Sequence, residues 1–176
     1  QPAPKSASCQ QVQEGHYQSG PTTEVICPAG KAGSGGNASC EYCLQGFYQN
    51  LPGNTTCHKC LSGFVNENRG ATGCNAVPPG SYNWNGAVRK CEKGHFCLGL
   101  DDNQTACAVG RYTDVVGSIA CIDCAPGKYA GFNGSTICTD CGADEYQPNS
   151  KSISCTTCEN STRSIAGASV CEACPA

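Results

Sequence analysis

The stretch Cys121-Ile122-Asp123-Cys124-Ala125-Pro126-Gly127-Lys128-Tyr129, running on through Gly134 to Cys138 and Cys141, decides the fold. It reads C-x-x-C-x-x-G-x-Y-x4-G-x3-C-x-x-C, a unit of about 17 residues, and most of the chain is copies of it. Such a unit is too short to fold alone, so neighbours must stack or be stapled. The first Cys of each C-x-x-C is read as closing one loop and the second as opening the next.

Composition points the same way. Leu, Ile, Val and Phe together number 24 of 176 residues and Met is absent. So few large apolar groups cannot offset about 1–2 kcal/mol of backbone entropy per residue. The 18 cysteines instead mark a disulfide scaffold, and their even number favours full pairing in an oxidising compartment. The expected fold class is small and disulfide-rich: tandem short irregular β-hairpin repeats forming an elongated rod, with almost no helix. The aromatic two residues after the first Gly of each copy is expected to pack against the disulfides.

Taken in order, the chain divides into an extended lead at 1–8, a first cysteine-rich arm at 9–74, an irregular joint at 75–106 and a second arm at 107–176. Cys9 is read as opening a longer variant that Cys27 closes. Cys43 to Cys57 is a full copy with Gly46, Tyr48 and Gly53, whereas Val65 takes the aromatic position between Cys60 and Cys74. In the joint, Val77 stands where a second Cys is due, and Tyr82 to Val88 reads as a hairpin turning on Asn85-Gly86. Cys91 to Cys97 reads as a compressed repeat. In the second arm, Asp144 replaces the first Gly of the Cys141 copy, and the Cys158 copy is degenerate.

The commonest spacing yields the pairs Cys43–Cys57, Cys60–Cys74, Cys107–Cys121, Cys124–Cys138, Cys141–Cys155 and Cys158–Cys171. Cys27–Cys40 also fits, although Cys27 could close the Cys9 loop instead, and overlapping pairs within a module are a rival scheme. If Cys27–Cys40 holds, Cys91 and Cys97 can pair locally. Cys9 and Cys174 then remain as candidates for an intermolecular bond. Five N-x-S/T triplets begin at Asn37, Asn54, Asn103, Asn133 and Asn160 and are candidate N-glycosylation sites. Asn37, Asn54 and Asn133 adjoin the second Gly, at the expected hairpin tip.

Other chemistry is weighed and set aside. C-x-x-C pairs resemble zinc ribbons, but here they recur in one series with glycosylation triplets between them, and structural zinc needs reduced thiolates. Thioredoxin-like redox work needs a βαβ context that is absent. His16 and His95 fall in the same x of G-x-aromatic as Ser81, Arg111 and Lys128, a solvent-facing position by phase; His58 lies inside a C-x-x-C. Asp101-Asp102-Asn103 lacks the ligand series of a calcium loop. No cofactor and no catalytic residue is expected. A net charge of −3 with scattered cations argues against nucleic acid. No apolar run nears the ~18 residues that span a bilayer. A chain opening at Gln1 is expected to be a secreted form whose leader has been removed. Tyr82 and Trp84, the latter the sole tryptophan, are the candidate contact residues.

The repeat resembles the ephrin-receptor-like cysteine-rich repeats, best in Cys124-Ala125-Pro126-Gly127-Lys128-Tyr129 through Cys138. Single loops look like the first module of tumour-necrosis-factor-receptor cysteine-rich domains. Arrays of this type are similar to those in algal and protist surface proteins, including flagellar hair (mastigoneme) subunits. The resemblance implies the architecture. The rod-like array, its small residues, the continuity of the repeat from end to end and the lack of a site for chemistry lead to the expectation of a non-enzymatic extracellular glycoprotein, self-associating head to tail into a fibre, hair or coat. The alternative is a receptor ectodomain or secreted decoy that uses the 75–106 joint. Termination at Cys174-Pro175-Ala176, which matches Cys27-Pro28-Ala29, favours assembly in this reading.

Overall fold

A computed structural model describes residues 11–36 and 38–174. The expectations for the lead at 1–8, for Cys9 and for Asn37 lie outside the described residues. Among the described residues there is no helix; twenty strands of two to four residues form ten two-stranded sheets. None of these elements is a helix long and apolar enough to cross a membrane. The chain divides into two compact units, one running to Asn75 together with Asn85–Ala87, the other comprising Ala76–Trp84 and Val88 onward.

Most of the hairpins follow one recipe. The x-aromatic pair of G-x-aromatic forms one strand, and the two inner residues of the following C-x-x-C form its antiparallel partner. Lys128–Tyr129 thus pairs with Thr139–Asp140, and Arg111–Tyr112 with Ile122–Asp123. In the first unit Phe47–Tyr48 pairs with His58–Lys59 in the same register. The loop is stapled by disulfides Cys27–Cys40, Cys43–Cys57, Cys60–Cys74, Cys107–Cys121, Cys124–Cys138, Cys141–Cys155 and Cys158–Cys171, and an eighth joins Cys91 to Cys97. Cys27 is therefore an opening cysteine, and the reading in which it closes a Cys9 loop is corrected. The first described hairpin, His16–Gln18 with Glu24–Ile26, instead has Val12 three residues before its Gly15.

Within each unit, successive repeats are tied by the same backbone bonds, which require no particular side chain. In the second unit Gly110 N donates to Ala130 O at 2.7 Å, Thr113 N to Ser135 O at 3.2 Å, and Gly134 N to Cys107 O at 2.7 Å. The next junction repeats the set with Gly127 N to Gln147 O at 2.7 Å, Ala130 N to Ser152 O at 3.0 Å, and Lys151 N to Cys124 O at 2.7 Å. In the first unit Gly30 N to Gln49 O and Gly53 N to Cys27 O play these parts.

The core runs mainly along the opening cysteines: Cys27, Cys43, Cys91, Cys107, Cys124 and Cys141 are buried, though Cys60 and Cys158 are half-buried. Of the closing ones Cys40 is buried and Cys57, Cys121, Cys138 and Cys155 are half-buried. The residue just after the aromatic is the second inward position. Gln49, Asn66 and Thr113 are buried there and hold the hairpin tip. Gln49 donates Nε2 to Thr56 O at 2.7 Å and accepts from Leu51 N at 3.2 Å. Gln147 repeats that pattern with Ser154 O and Asn149 N. Tyr17, Tyr48, Phe96, Tyr112, Tyr129 and Tyr146 are only half-buried. Of the aromatics at this position Tyr82 alone is buried, in a cluster with Cys91 and Cys97.

The joint proves to be two more repeats. Val77 occupies the opening-cysteine position, buried to 2% exposure, and its carbonyl accepts from Leu100 N at 3.0 Å as Cys107 O does from Gly134 N. Gly80 N to Cys97 O and Asn83 N to Asp101 O complete the same ladder. His95–Phe96 pairs with Thr105–Ala106, so Gln104 stands where a closing cysteine would be. Cys97 sits in the position just after the aromatic and binds Cys91 there. Because Val77 replaces a disulfide half by apolar packing alone, V77A is expected to cost about 2–3 kcal/mol. The check is faster hydrogen exchange at the Leu100 amide.

Candidate interaction site

The strand Ser81–Trp84 and its partner Ala87–Lys90 form the longest hairpin among the described residues, and Asn85 and Gly86 turn it with φ of 52° and 83°. Positive φ at both central residues is the type I′ geometry that Asn-Gly favours. The two candidate contact residues share one face of the strand but differ in burial. Tyr82, 7% exposed, packs inward in a cluster with Cys91 and Cys97. It is therefore a core residue and offers no contact surface. Trp84 keeps 47% of its surface exposed, with its ring edge-on to Tyr82 at 6.4 Å. The Arg89 guanidinium lies 5.6 Å from the Trp84 ring centre, within cation–π range.

Asp101 and Asp102 brace this hairpin from beside it. Tyr82 and Asp101 make an isolated parallel bridge, Asn83 Nδ2 donates to Asp102 Oδ1 at 3.2 Å, and Gly99 N donates to Asp101 Oδ2 at 3.0 Å. The two carboxylates thus serve the loop itself. Among the described residues no group of three or more His, Cys, Asp or Glu is placed to hold a metal ion.

The x position of G-x-aromatic is not uniformly solvent-facing. Ser81 there is buried to 0% exposure, with no hydrogen-bond partner for its hydroxyl among the described residues. His16, His95, Arg111 and Lys128 are half-buried and pair across the hairpin or with nearby backbone. Arg111 Nε meets Asp123 Oδ1 at 2.5 Å and Lys128 Nζ meets Asp140 Oδ1 at 2.5 Å, each opposite its partner in register. The side chains of these pairs are 38–55% exposed, so each contributes well under about 1 kcal/mol. His16 and His95 each place Nδ1 on the carbonyl two residues back, at 3.1 and 3.3 Å, and His58 lies beside the Tyr48 ring at 5.7 Å.

Of the glycosylation triplets, Asn103, Asn133 and Asn160 are exposed and Asn54 is half-buried. Cys174 is exposed and without a disulfide partner among the described residues, although its N–H donates to Ser161 O at 2.8 Å as in every opening cysteine of the array. The residue after the aromatic was not singled out from sequence. Its signal was the run Gln18, Gln49, Asn66, Asn83, Thr113, Gln147 and Ser164 at one phase of the repeat.

The fold is a tandem array of short antiparallel hairpins stapled by disulfides. Residues 30–76 match the family model described as tyrosine-protein kinase ephrin type A/B receptor-like, so this part of the array is similar to the cysteine-rich repeat of those receptors. No curated protein matches the chain. The eight disulfides among the described residues and the family match are the marks of an extracellular disulfide-rich module.

Proposed function

We propose that the chain is a non-enzymatic extracellular structural glycoprotein whose repeats assemble head to tail into a fibre, flagellar hair or surface coat. The observation that carries this reading is the backbone ladder between successive repeats. The same N–H and C=O groups meet at each junction within a unit, whatever the side chains. A contact of this kind is heterologous, one face of a repeat meeting the opposite face of the next, and heterologous contacts that do not close build filaments. Cys174 supports the covalent form of the assembly, with Cys9 of a second copy as the partner. Cys174, without a disulfide partner among the described residues, stands in the position whose counterparts Cys43, Cys124 and Cys141 are bonded.

Negative-stain microscopy of the purified protein, beside a non-reducing gel, tests this. Filaments are expected, with a ladder of disulfide-linked multimers that collapses to monomer in C174S. Monodisperse single molecules at every concentration would sink the reading. One observation favours a second function, a ligand-binding ectodomain or decoy: the exposed Trp84 with Arg89 over its ring pairs two residue types enriched at binding hot spots. In that case W84A abolishes capture of a protein ligand by an otherwise monomeric chain.

A further inference from the structure

Asn133 and Asn54 both begin N-x-S/T triplets at hairpin tips, yet their amides are turned opposite ways. Val109 N–H donates to Asn133 Oδ1 at 3.1 Å. A backbone N–H can meet only the carbonyl oxygen of a side-chain amide, so Asn133 Nδ2 is the atom left facing outward. The rest of the triplet is fastened to the preceding repeat, through Gly134 N to Cys107 O at 2.7 Å and Thr113 N to Ser135 O at 3.2 Å. At Asn54 the nitrogen itself is engaged, donating to Leu51 O at 3.3 Å, and the residue is half-buried.

Beside Asn133 stands Phe132, 82% exposed against 37% for Phe47 and 47% for Trp84. A single exposed aromatic is ordinary. Here, however, the ring and the outward nitrogen share one short turn, closed by Ser135 Oγ donating to Phe132 O at 2.7 Å. We infer that Asn133 carries an N-linked glycan and that its first N-acetylglucosamine covers the Phe132 ring. The C–H face of the pyranose is electropositive and the face of the ring electronegative, so the two are complementary. In the transfer, Nδ2 forms a bond to the anomeric carbon of an oligosaccharide carried on a lipid pyrophosphate. The carbon–oxygen bond to pyrophosphate breaks, the lipid pyrophosphate leaves, and Nδ2 gives up one proton.

The inference rests on the extracellular glycoprotein reading and refines it. The test is glycopeptide mass spectrometry of the chain secreted from eukaryotic cells. Melting with and without peptide N-glycosidase treatment then follows, in the parent and in F132A. Asn133 is expected to be occupied more fully than Asn54. Removing sugar is expected to lower the parent's melting midpoint by about 2 °C and to leave F132A unmoved. The Asp that the enzyme leaves is common to both arms and cancels. Sugar on other triplets with Asn133 bare overturns the inference. So does an equal shift in both arms, which removes the Phe132 contact. No sugar on any triplet overturns instead the glycoprotein reading on which the inference rests.

Discussion

Reduction of the eight disulfides among the described residues is expected to unfold the chain outright, with loss of amide dispersion in NMR spectra and of the β signature in circular dichroism. The reason lies in what would be left to hold it. The buried apolar residues among the described ones are mostly half-cystines; without them the core is Ala32, Val65, Val77, Tyr82 and Ala130. Those five side chains are spread over four different repeats, so they cannot gather into one cluster. Each stapled loop, with its cysteines 13 or 14 residues apart, contributes about 3 kcal/mol by restricting the unfolded chain. Loss of three or four such loops is already comparable to the about 5–15 kcal/mol net stability of a typical domain. A metal chelator is expected to do nothing to the unreduced chain, in which the paired cysteines are held as disulfides. A reduced chain that keeps native-like amide dispersion would overturn this account of the core.

The hairpin repeat was legible because its marks are local. Gly-x-aromatic and C-x-x-C recur at fixed distance, and the structure pairs the two stretches as strands in every full copy. The joint was harder to read because the eye follows cysteines. Once Val77 is accepted as an opening position and Gln104 as a closing one, Gly80-Ser81-Tyr82 and Gly94-His95-Phe96 fall into phase with their neighbours. The repeat keeps its glycines and backbone ladder where the usual disulfide is missing, as in the copies that open at Val12, Val77 and Cys91. The candidate contact pair was legible only in part. Tyr82 and Trp84 lie two apart on a strand, which would put both on one face. Yet Tyr82 is drawn onto Cys91–Cys97 while Trp84, at the turn, stays out. Nothing local in the sequence encodes that difference, because Cys91 and Cys97 come from a later repeat.

Gly127→Ala is expected to cost about 3–5 kcal/mol, and Gly134→Ala only about 1–2 kcal/mol, although both glycines have positive φ. At +80° and +75° the backbone penalty for an L-residue is the same at the two positions. What differs is the space. A Cβ on Gly127 would lie 2.0 Å from Gly167 O and 2.8 Å from its carbonyl carbon, backbone atoms of the repeat two places further on. A Cβ on Gly134 would meet nothing nearer than His95 Cε1 at 3.7 Å. Relief at Gly127 requires the stacked repeats to part, which takes with it Gly127 N to Gln147 O at 2.7 Å and Cys141 N to Gly127 O at 2.9 Å. The chain's own substitutions follow this division. Leu100 and Lys151 stand in the second-glycine position with φ of 58° and 60°. In the first-glycine position, residues other than Gly occur only at Asp144 and Ser161, with φ of 63° and 58°. Gly15, Gly30, Gly80, Gly94 and Gly110, like Gly127, each face such a carbonyl within 2.2 Å of a would-be Cβ. Hydrogen exchange resolved along the chain is the measurement. G127A should open the repeats from Cys124 to Cys171 while G134A perturbs only its own turn, and equal effects would refute the role given to the carbonyl two repeats on.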